Sequence, residues 1–239
     1  MFIKTLTKGI TISTLLVGVA APHAMAQTLQ LTVTNLTQGI YFTPILATAH
    51  DSQYHLFQSG MVASPELQAM AEGGDIAGLA TIADSIQAIS AANPAGGLLQ
   101  PATSTSATLE NVEAGSVLSL TAMILPSNDG FVGLDSWPIP TEPGTYTLHL
   151  NAYDAGTEAN DEVLVAGAGG APGTPGMPGI PGDFAGMNAS GVTSEEPTQV
   201  VHIHRGNLGD TNSEGGVSDV DSRIHRWLNP VARLTVVVE

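Results

Sequence analysis

Alternating apolar and polar residues predict several β-strands along the chain. In residues 28–36 the side chains of Leu29, Leu31 and Val33 fall on one face, which is the period-two pattern of a half-buried strand. An apolar run over residues 40–48 follows and is expected to be its neighbour. Further strands are predicted over residues 115–125, 145–151, 199–204 and 232–238. Many short strands separated by turn signals predict an antiparallel β-sandwich.

Helical signals lie between these strands in the first half of the chain. Ser64-Pro65-Glu66 offers a capping serine, a proline at the first helical position and an acid in the first turn, which is typical of a helix start. A second helix is expected after Asp75, with an apolar stripe that packs on the core or, alternatively, forms a partner groove. The stripe comprises Ile76, Leu79, Ile82, Ile86 and Ile89. We therefore predict a mainly β fold with a small helical insertion.

The first 26 residues have the pattern of a secretory signal peptide. Two lysines form a basic start, an apolar run covers residues 9–21, and Ala24-Met25-Ala26 matches a signal-peptidase site. Cleavage there leaves one mature domain, residues 27–239, that begins at Gln27. No later segment has about 20 unbroken apolar residues, so no membrane span is expected. The sequence thus predicts a protein secreted to the periplasm or to the outside of the cell.

The charge of the mature domain and its lack of cysteine limit the kinds of partner it can bind and the kinds of site it can contain. It keeps four arginines and no lysine against 22 acids, which gives a formal charge of −18. Such a surface repels nucleic acids and anionic membranes, whereas metal cations fit it; solubility alone is the simpler explanation for most of the acids. The chain has no cysteine, which excludes disulfides, zinc–thiolate sites and thiol catalysis.

A low-complexity segment lies at residues 167–185. Glycine recurs at every third position from Gly170 to Gly182, and each triplet reads Gly-x-Pro. This is the collagen period, but four triplets are too few for a lasting triple helix. We expect an exposed, protease-sensitive surface loop that buries little.

Two acidic loops carry the best candidates for a binding site. Asp129 follows the predicted strand that ends at Leu125, and Asp154 and Glu158 follow the strand that ends near Tyr153. An even number of chain reversals separates the loops, so they reach the same end of an antiparallel sandwich. Calcium takes six to eight oxygen ligands from carboxylates, carbonyls and water. The three acids are therefore either calcium ligands or solvated loop acids.

The two loops resemble signature loops of the spondin N-terminal domain family. The segments are Pro126-Ser127-Asn128-Asp129-Gly130-Phe131-Val132-Gly133 and Tyr153-Asp154-Ala155-Gly156-Thr157-Glu158, in the family's order and separation. The resemblance extends over about residues 28–239. It implies a C2-type β-sandwich, an extracellular module associated with matrix or surfaces, and calcium binding through Asp129, Asp154 and Glu158.

The chain departs from the animal members of that family in three ways. Glu158 stands where those members carry Asp, and its longer side chain can still ligate calcium, so the resemblance implies a modified site. The animal domains have disulfides, whereas this chain has no cysteine. The helical segment near 64–91 and the Gly-x-Pro loop also look unlike those domains, which bears on the partner more than on the fold.

A second acidic stretch, residues 210–221, nearly fits the EF-hand calcium loop. A helix over 221–228 is expected to follow, but the preceding segment reads as a strand, so the entering helix is missing. An Asn/Asp/Gly surface loop is the alternative. The matching positions are Asp210, Asn212, Glu214 and Asp221, with Gly215 in the sixth place.

Two histidines provide a third candidate metal site. His202 and His204 lie on one face of a predicted strand, as some zinc ligands do, and His225 is available as a further ligand. Histidines that flank a core position are more often structural, so zinc remains the alternative here.

The sequence favours a secreted calcium-binding module that acts in recognition or adhesion, with an unidentified extracellular or cell-surface partner. A metal-dependent hydrolase that uses the carboxylates or the two histidines is one alternative. A structural surface protein with no dedicated ligand is the other. No G-x-S-x-G, H-E-x-x-H or phosphate-cradling loop occurs, so no enzymatic activity is expected.

Overall fold

The structure is a computed structural model that describes residues 26–165, 170–182 and 184–239. Apart from Ala26, the predicted signal peptide lies outside these residues. In the described part of the chain, no helix is long and apolar enough to cross a membrane. The same residues form the strands β1 (Gln27–Asn35), β2 (Tyr41–Phe42), β3 (Leu46–His50), β4 (Ile89–Ala92), β5 (Ser104–Val112), β6 (Val117–Leu125), β7 (Gly130–Pro138), β8 (Gly144–Asp154), β9 (His202–Ile203) and β10 (Ala232–Val238), and the helices α1 (Pro65–Gly73) and α2 (Ala77–Ser85).

Strand β6 is buried along its whole length because both of its faces are covered. Leu118 and Leu120 face the main core, together with Leu29, Leu31 and Val33 of β1. Met123, on the opposite face, packs in a second cluster with side chains of α1. The two-sided burial explains why the sequence of β6 is continuously apolar, whereas β1 alternates as predicted.

The strands form one antiparallel sheet in the order β4-β3-β6-β7-β8-β10-β1-β5. The long strand β8 joins its two halves, because residues 144–150 pair with β10 and residues 151–154 pair with β7. The terminal strands β4 and β5 approach each other, so the sheet is nearly barrel-shaped. The mainly antiparallel β fold is confirmed, while the C2-type sandwich remains a prediction.

The small helical insertion is also confirmed. Ser64 caps α1, since its Oγ accepts the N–H of Leu67 at 3.1 Å, and Asp75 accepts the N–H of Ala77 at 2.9 Å just before α2. The predicted apolar stripe is only partly correct. Leu79 is buried, but Ile82 is 38% exposed, and Ile89 belongs to β4 because α2 ends at Ser85.

Three expectations about the elements were wrong in whole or in part. The run over 40–48 divides into β2 and β3, which pair with β6; β1 has both of its edges filled by β5 and β10. The predicted strand over 199–204 is reduced to β9, because Val201 pairs instead with Met61. Residues 222–224 form a turn in place of the helix expected over 221–228, and the irregular segment that follows buries Trp227.

Candidate metal centre

The two acidic loops meet at one end of the sheet, as the count of chain reversals predicts. Gly130 at the start of β7 pairs with Asp154 at the end of β8, and the N–H of Ala155 donates to the carbonyl of Asp129 at 3.2 Å. Gly156 has a φ of +69°, and a Cβ there would lie 2.7 Å from the Thr198 carbonyl oxygen. Only glycine fits this bend, which carries the chain from Asp154 back towards Asp129.

Asp129 is fully buried and only half of its carboxylate is satisfied. Its Oδ2 accepts the N–H and the hydroxyl of Thr157 at 2.8 and 3.1 Å and the N–H of Glu158 at 3.3 Å. Its buried Oδ1 has no hydrogen-bond partner among the described residues. Burial, followed by the charge of Asp154, raises the pKa of Asp129 to about 7. The site therefore disfavours a bare negative charge at Asp129.

Glu158 shows the same half-satisfied pattern. Its Oε2 accepts the N–H of Gly176 at 3.0 Å, while the buried Oε1 has no partner in the described chain. Burial, followed by the charge of Glu72, raises the pKa of Glu158 to about 8. Two of the three predicted ligands thus each present one unpartnered, buried carboxylate oxygen.

Asp154 differs, because both of its oxygens accept hydrogen bonds. Oδ1 accepts the N–H of Gly156 at 2.9 Å and Oδ2 accepts the side-chain amide of Asn160 at 2.7 Å. His202 and His204 both face this carboxylate, with Nε2 atoms 3.8 and 3.9 Å from Oδ2. The sequence correctly placed the two histidines on one side of the chain, but it gave no sign that they would meet Asp154.

Both ring nitrogens of His204 make hydrogen bonds, so neither is free to bind zinc. Its Nδ1 accepts the N–H of Gly206 at 2.9 Å, so the ring proton lies on Nε2, 3.0 Å from Oδ1 of Asn160. Burial lowers the pKa of His204 to about 4, which keeps the ring neutral. His225 belongs to a different loop, where its N–H donates to the carbonyl of Asp221.

Asp129, Asp154 and Glu158 do not by themselves enclose a metal position. Among the described residues, no three His, Asp or Glu side chains lie together in an arrangement that could hold a metal ion. Each of the unpartnered oxygens of Asp129 and Glu158 is nevertheless the type of donor that hard cations take. Calcium also accepts backbone carbonyls and waters at flexible geometry, so a site with few carboxylates is chemically adequate.

The EF-hand-like loop is held together by its own backbone. Asp210 accepts the N–H groups of Asn212, Val217 and Ser218, which lower its pKa. The carboxylate of Asp221 is bound by the guanidinium of Arg223, which lowers the pKa of Asp221 to about 2. Because Asp221 already has a cationic partner in Arg223, the surface-loop alternative is favoured over a second calcium site.

Sequence reasoning missed a set of buried acids that hold loops in place. Glu162 accepts the N–H groups of Leu208 and Gly209 at 2.6 and 2.7 Å and the hydroxyl of Ser218 at 2.7 Å. Glu72 on α1 accepts the N–H of Gly173 at 2.6 Å. The available signal was an excess of acids beside long stretches rich in Gly, Pro, Ser and Asn, whose N–H groups lack a sheet partner.

The Gly-x-Pro segment is consequently attached to the domain. Gly173 and Gly176 donate to Glu72 and Glu158, and Met177 is fully buried with backbone hydrogen bonds to residues 163 and 165. Most of the described residues of this segment are exposed or half-buried, as expected of a surface loop. Gly176 and Met177 are buried, however, so the segment is held against the domain at these positions.

The fold and these loops define a class of protein: an antiparallel β module whose acidic loops gather at one end of the sheet. The Spondin_N family model matches residues 34–163, which is more than half of the chain. The chain belongs to the spondin N-terminal domain family, a non-enzymatic family of extracellular type. No curated protein matches the chain.

The matched segment ends before the fold does. Strand β10 lies beyond residue 163, yet it occupies the position between β8 and β1 in the sheet. The segment between residue 163 and β10 supplies the histidines beside Asp154 and the glycines that bind Glu72 and Glu158. The candidate site is therefore built from the family core together with residues that follow it.

Proposed function

We propose that the protein is a secreted calcium-binding module of spondin type that acts in recognition or adhesion. The observation that supports calcium most directly is the pair of buried, unpartnered oxygens, Oδ1 of Asp129 and Oε1 of Glu158. A buried carboxylate oxygen without a donor is costly, and burial raises the pKa of both groups. A bound dication would remove it.

The ligand chemistry favours calcium over other metals. Carboxylates, carbonyls and water are the donors that calcium prefers, whereas magnesium demands stricter octahedral geometry and keeps its water. Asp129 and Glu158 would supply free oxygens. Asp154 would contribute a remaining lone pair while it keeps its two hydrogen bonds.

Calcium would act by ordering the loops that present the binding surface. Family membership supports an extracellular setting, and the N-terminal sequence supports export. The partner in this proposal is an extracellular or cell-surface molecule whose binding depends on calcium-ordered loops. A pull-down from extracellular material with and without chelator would recover it only in calcium.

The decisive test is thermal melting of the mature protein in chelator, calcium and magnesium. A ligand specific for the folded state adds about 2.7 kcal/mol at 100 times its Kd, so calcium should raise the Tm by several degrees and magnesium by much less. Asp129→Ala and Glu158→Ala should lose this response. Asp221→Ala, in the EF-hand-like loop, is the matched control and should keep it. An unchanged Tm of the parent protein in millimolar calcium would refute the proposal.

A further inference from the structure

A continuous chain of hydrogen bonds leads from the backbone to the carboxylate of Asp154. It runs from Gly206 through His204 and Asn160, and both side chains are buried, with 4% and 7% of their surface exposed. Neither residue was among the predicted calcium ligands. We infer that Asn160 and His204 are positioning residues of the carboxylate site, and this inference rests on the proposed calcium-binding function.

The direction of the chain is fixed at its backbone end. A backbone N–H can only donate, so the bond from Gly206 makes Nδ1 of His204 an acceptor at 2.9 Å. The neutral ring must then carry its proton on Nε2, which donates to Oδ1 of Asn160 at 3.0 Å. The amide of Asn160 is thereby oriented with its NH₂ group towards Asp154.

The result is a carboxylate held between two fixed donors. Asn160 donates to Oδ2 of Asp154 at 2.7 Å, and Gly156 donates to Oδ1 at 2.9 Å. Two donors from different parts of the loop restrict the rotamer of the carboxylate. Each oxygen retains a lone pair for a cation, so Asp154 is held in a fixed orientation beside Asp129.

His202 provides an internal comparison at the same carboxylate. Its Nδ1 lies 2.8 Å from the carbonyl of Val200, its Nε2 is 3.8 Å from Oδ2 of Asp154, and 36% of its side-chain surface is exposed. That separation is too long for a hydrogen bond. His202 is therefore near the site but outside the positioning chain.

The chain must be distinguished from ordinary packing, because His204 also contacts Trp227, with ring centroids 5.0 Å apart. Loss of packing would lower the stability of the calcium-free protein without changing the affinity for calcium. Loss of positioning would change the affinity itself. Outer-shell partners of metal ligands typically account for about 10- to 100-fold in affinity.

The experiment measures the Kd for calcium by titration calorimetry on the mature chain, alongside the urea stability of the calcium-free form. Asn160→Leu and His204→Leu should each weaken calcium binding about 10- to 100-fold. His204→Gln, whose amide can accept from Gly206 and donate to Asn160, should recover part of the loss. His202→Leu removes no hydrogen bond to Asp154 and should change the Kd much less than His204→Leu. His149→Leu, at an exposed histidine of β8, is the control and should bind like the parent.

Coupling to Asp154 provides the second criterion. If Asn160 acts through Asp154, Asn160→Leu should have no further effect on the Kd in an Asp154→Asn background. A parent that binds calcium and an Asn160→Leu variant with the same Kd would overturn the positioning role and leave the proposed function intact. A parent that does not bind calcium would overturn both.

The ring nitrogens of His204 provide a test that needs neither calcium nor a variant. Nitrogen-15 NMR of the calcium-free parent should show a protonated Nε2 and an unprotonated Nδ1. A proton on Nδ1 would reverse the direction of the chain and refute the inference, even if the variants failed to fold.

Discussion

Replacing Asp129 by Asn should make the calcium-free protein more stable at alkaline pH, although the change removes a residue of the proposed site. Burial and the neighbouring Asp154 raise the pKa of Asp129 from an ordinary 3.8 to about 7. A carboxyl group with a raised folded-state pKa stabilises the fold fully below its unfolded pKa, and this contribution is lost as the pH rises through the folded pKa. Asn has nearly the same shape and does not ionise.

The size of the effect follows from the shift. A tenfold change in an ionisation constant is worth about 1.4 kcal/mol, so a pKa moved from 3.8 to about 7 corresponds to roughly 4 kcal/mol of unfolding free energy. About 2 to 3 kcal/mol of this should disappear between pH 5 and pH 8 in chelator. Glu158, whose pKa burial raises to about 8, should extend the decline to the alkaline end of that range.

Urea unfolding in chelator at pH 5, 6, 7 and 8 measures this decline. The parent should lose stability as the pH rises, and Asp129→Asn should lose less and exceed the parent at pH 8. Asp84→Asn removes an acid from the exposed surface of α2 and should follow the parent. Asp129→Asn should also fail to respond to calcium.

Calcium should reverse the trend in the parent, because the ion binds the ionised carboxylates and binding therefore releases protons near pH 6. Calorimetry in two buffers of different ionisation enthalpy would detect those protons. A calcium-free parent whose stability is flat or rises from pH 5 to pH 8 would refute the reasoning, as would an Asp129→Asn variant less stable than the parent at pH 8.

Three further predictions concern the rest of the chain. Glu162→Gln should destabilise the fold by about 3 kcal/mol in urea, because three donors lose their charged acceptor; an unchanged midpoint would show that the loops hold without it. Deleting residues 171–181 should lower the Tm by several degrees and expose Glu72, whereas a free loop would leave the Tm unchanged. Mass spectrometry of secreted material should show Gln27 as the first residue, and an intact Met1 would contradict the signal peptide.

The strands whose positions were predicted well are those that bury the same face along their whole length. β1 and β10 each bury one face throughout, so alternation alone gives their position to within a residue or two. Partner choice was not predictable in the same way. The run over 40–48 is as apolar as β1, but its pairing with β6 depends on β5 and β10 having filled the edges of β1.

In the candidate site, too, the features set by regular strands could be predicted and those set by irregular loops could not. Topology predicted that Asp129 and Asp154 would be neighbours, because chain reversals can be counted from local signals. The sequence could not predict which carboxylate oxygens accept hydrogen bonds. The donors to Glu158 and Asp154 are Gly176 and Asn160, which lie in loops without regular structure. No periodic sequence pattern predicts where such loops contact the sheet.

The buried acids suggest why this protein folds without disulfides despite a long irregular segment. N–H groups in such a segment have no sheet partner, and a buried carboxylate can accept several of them with charge-assisted strength. Glu162 and Asp219 do this with every oxygen engaged. Asp129 and Glu158 are built in the same manner but each retains one buried oxygen without a donor. Loop anchoring does not account for that oxygen, whereas the proposed cation would, and on this proposal the difference separates the acids of the calcium site from the acids that hold the chain.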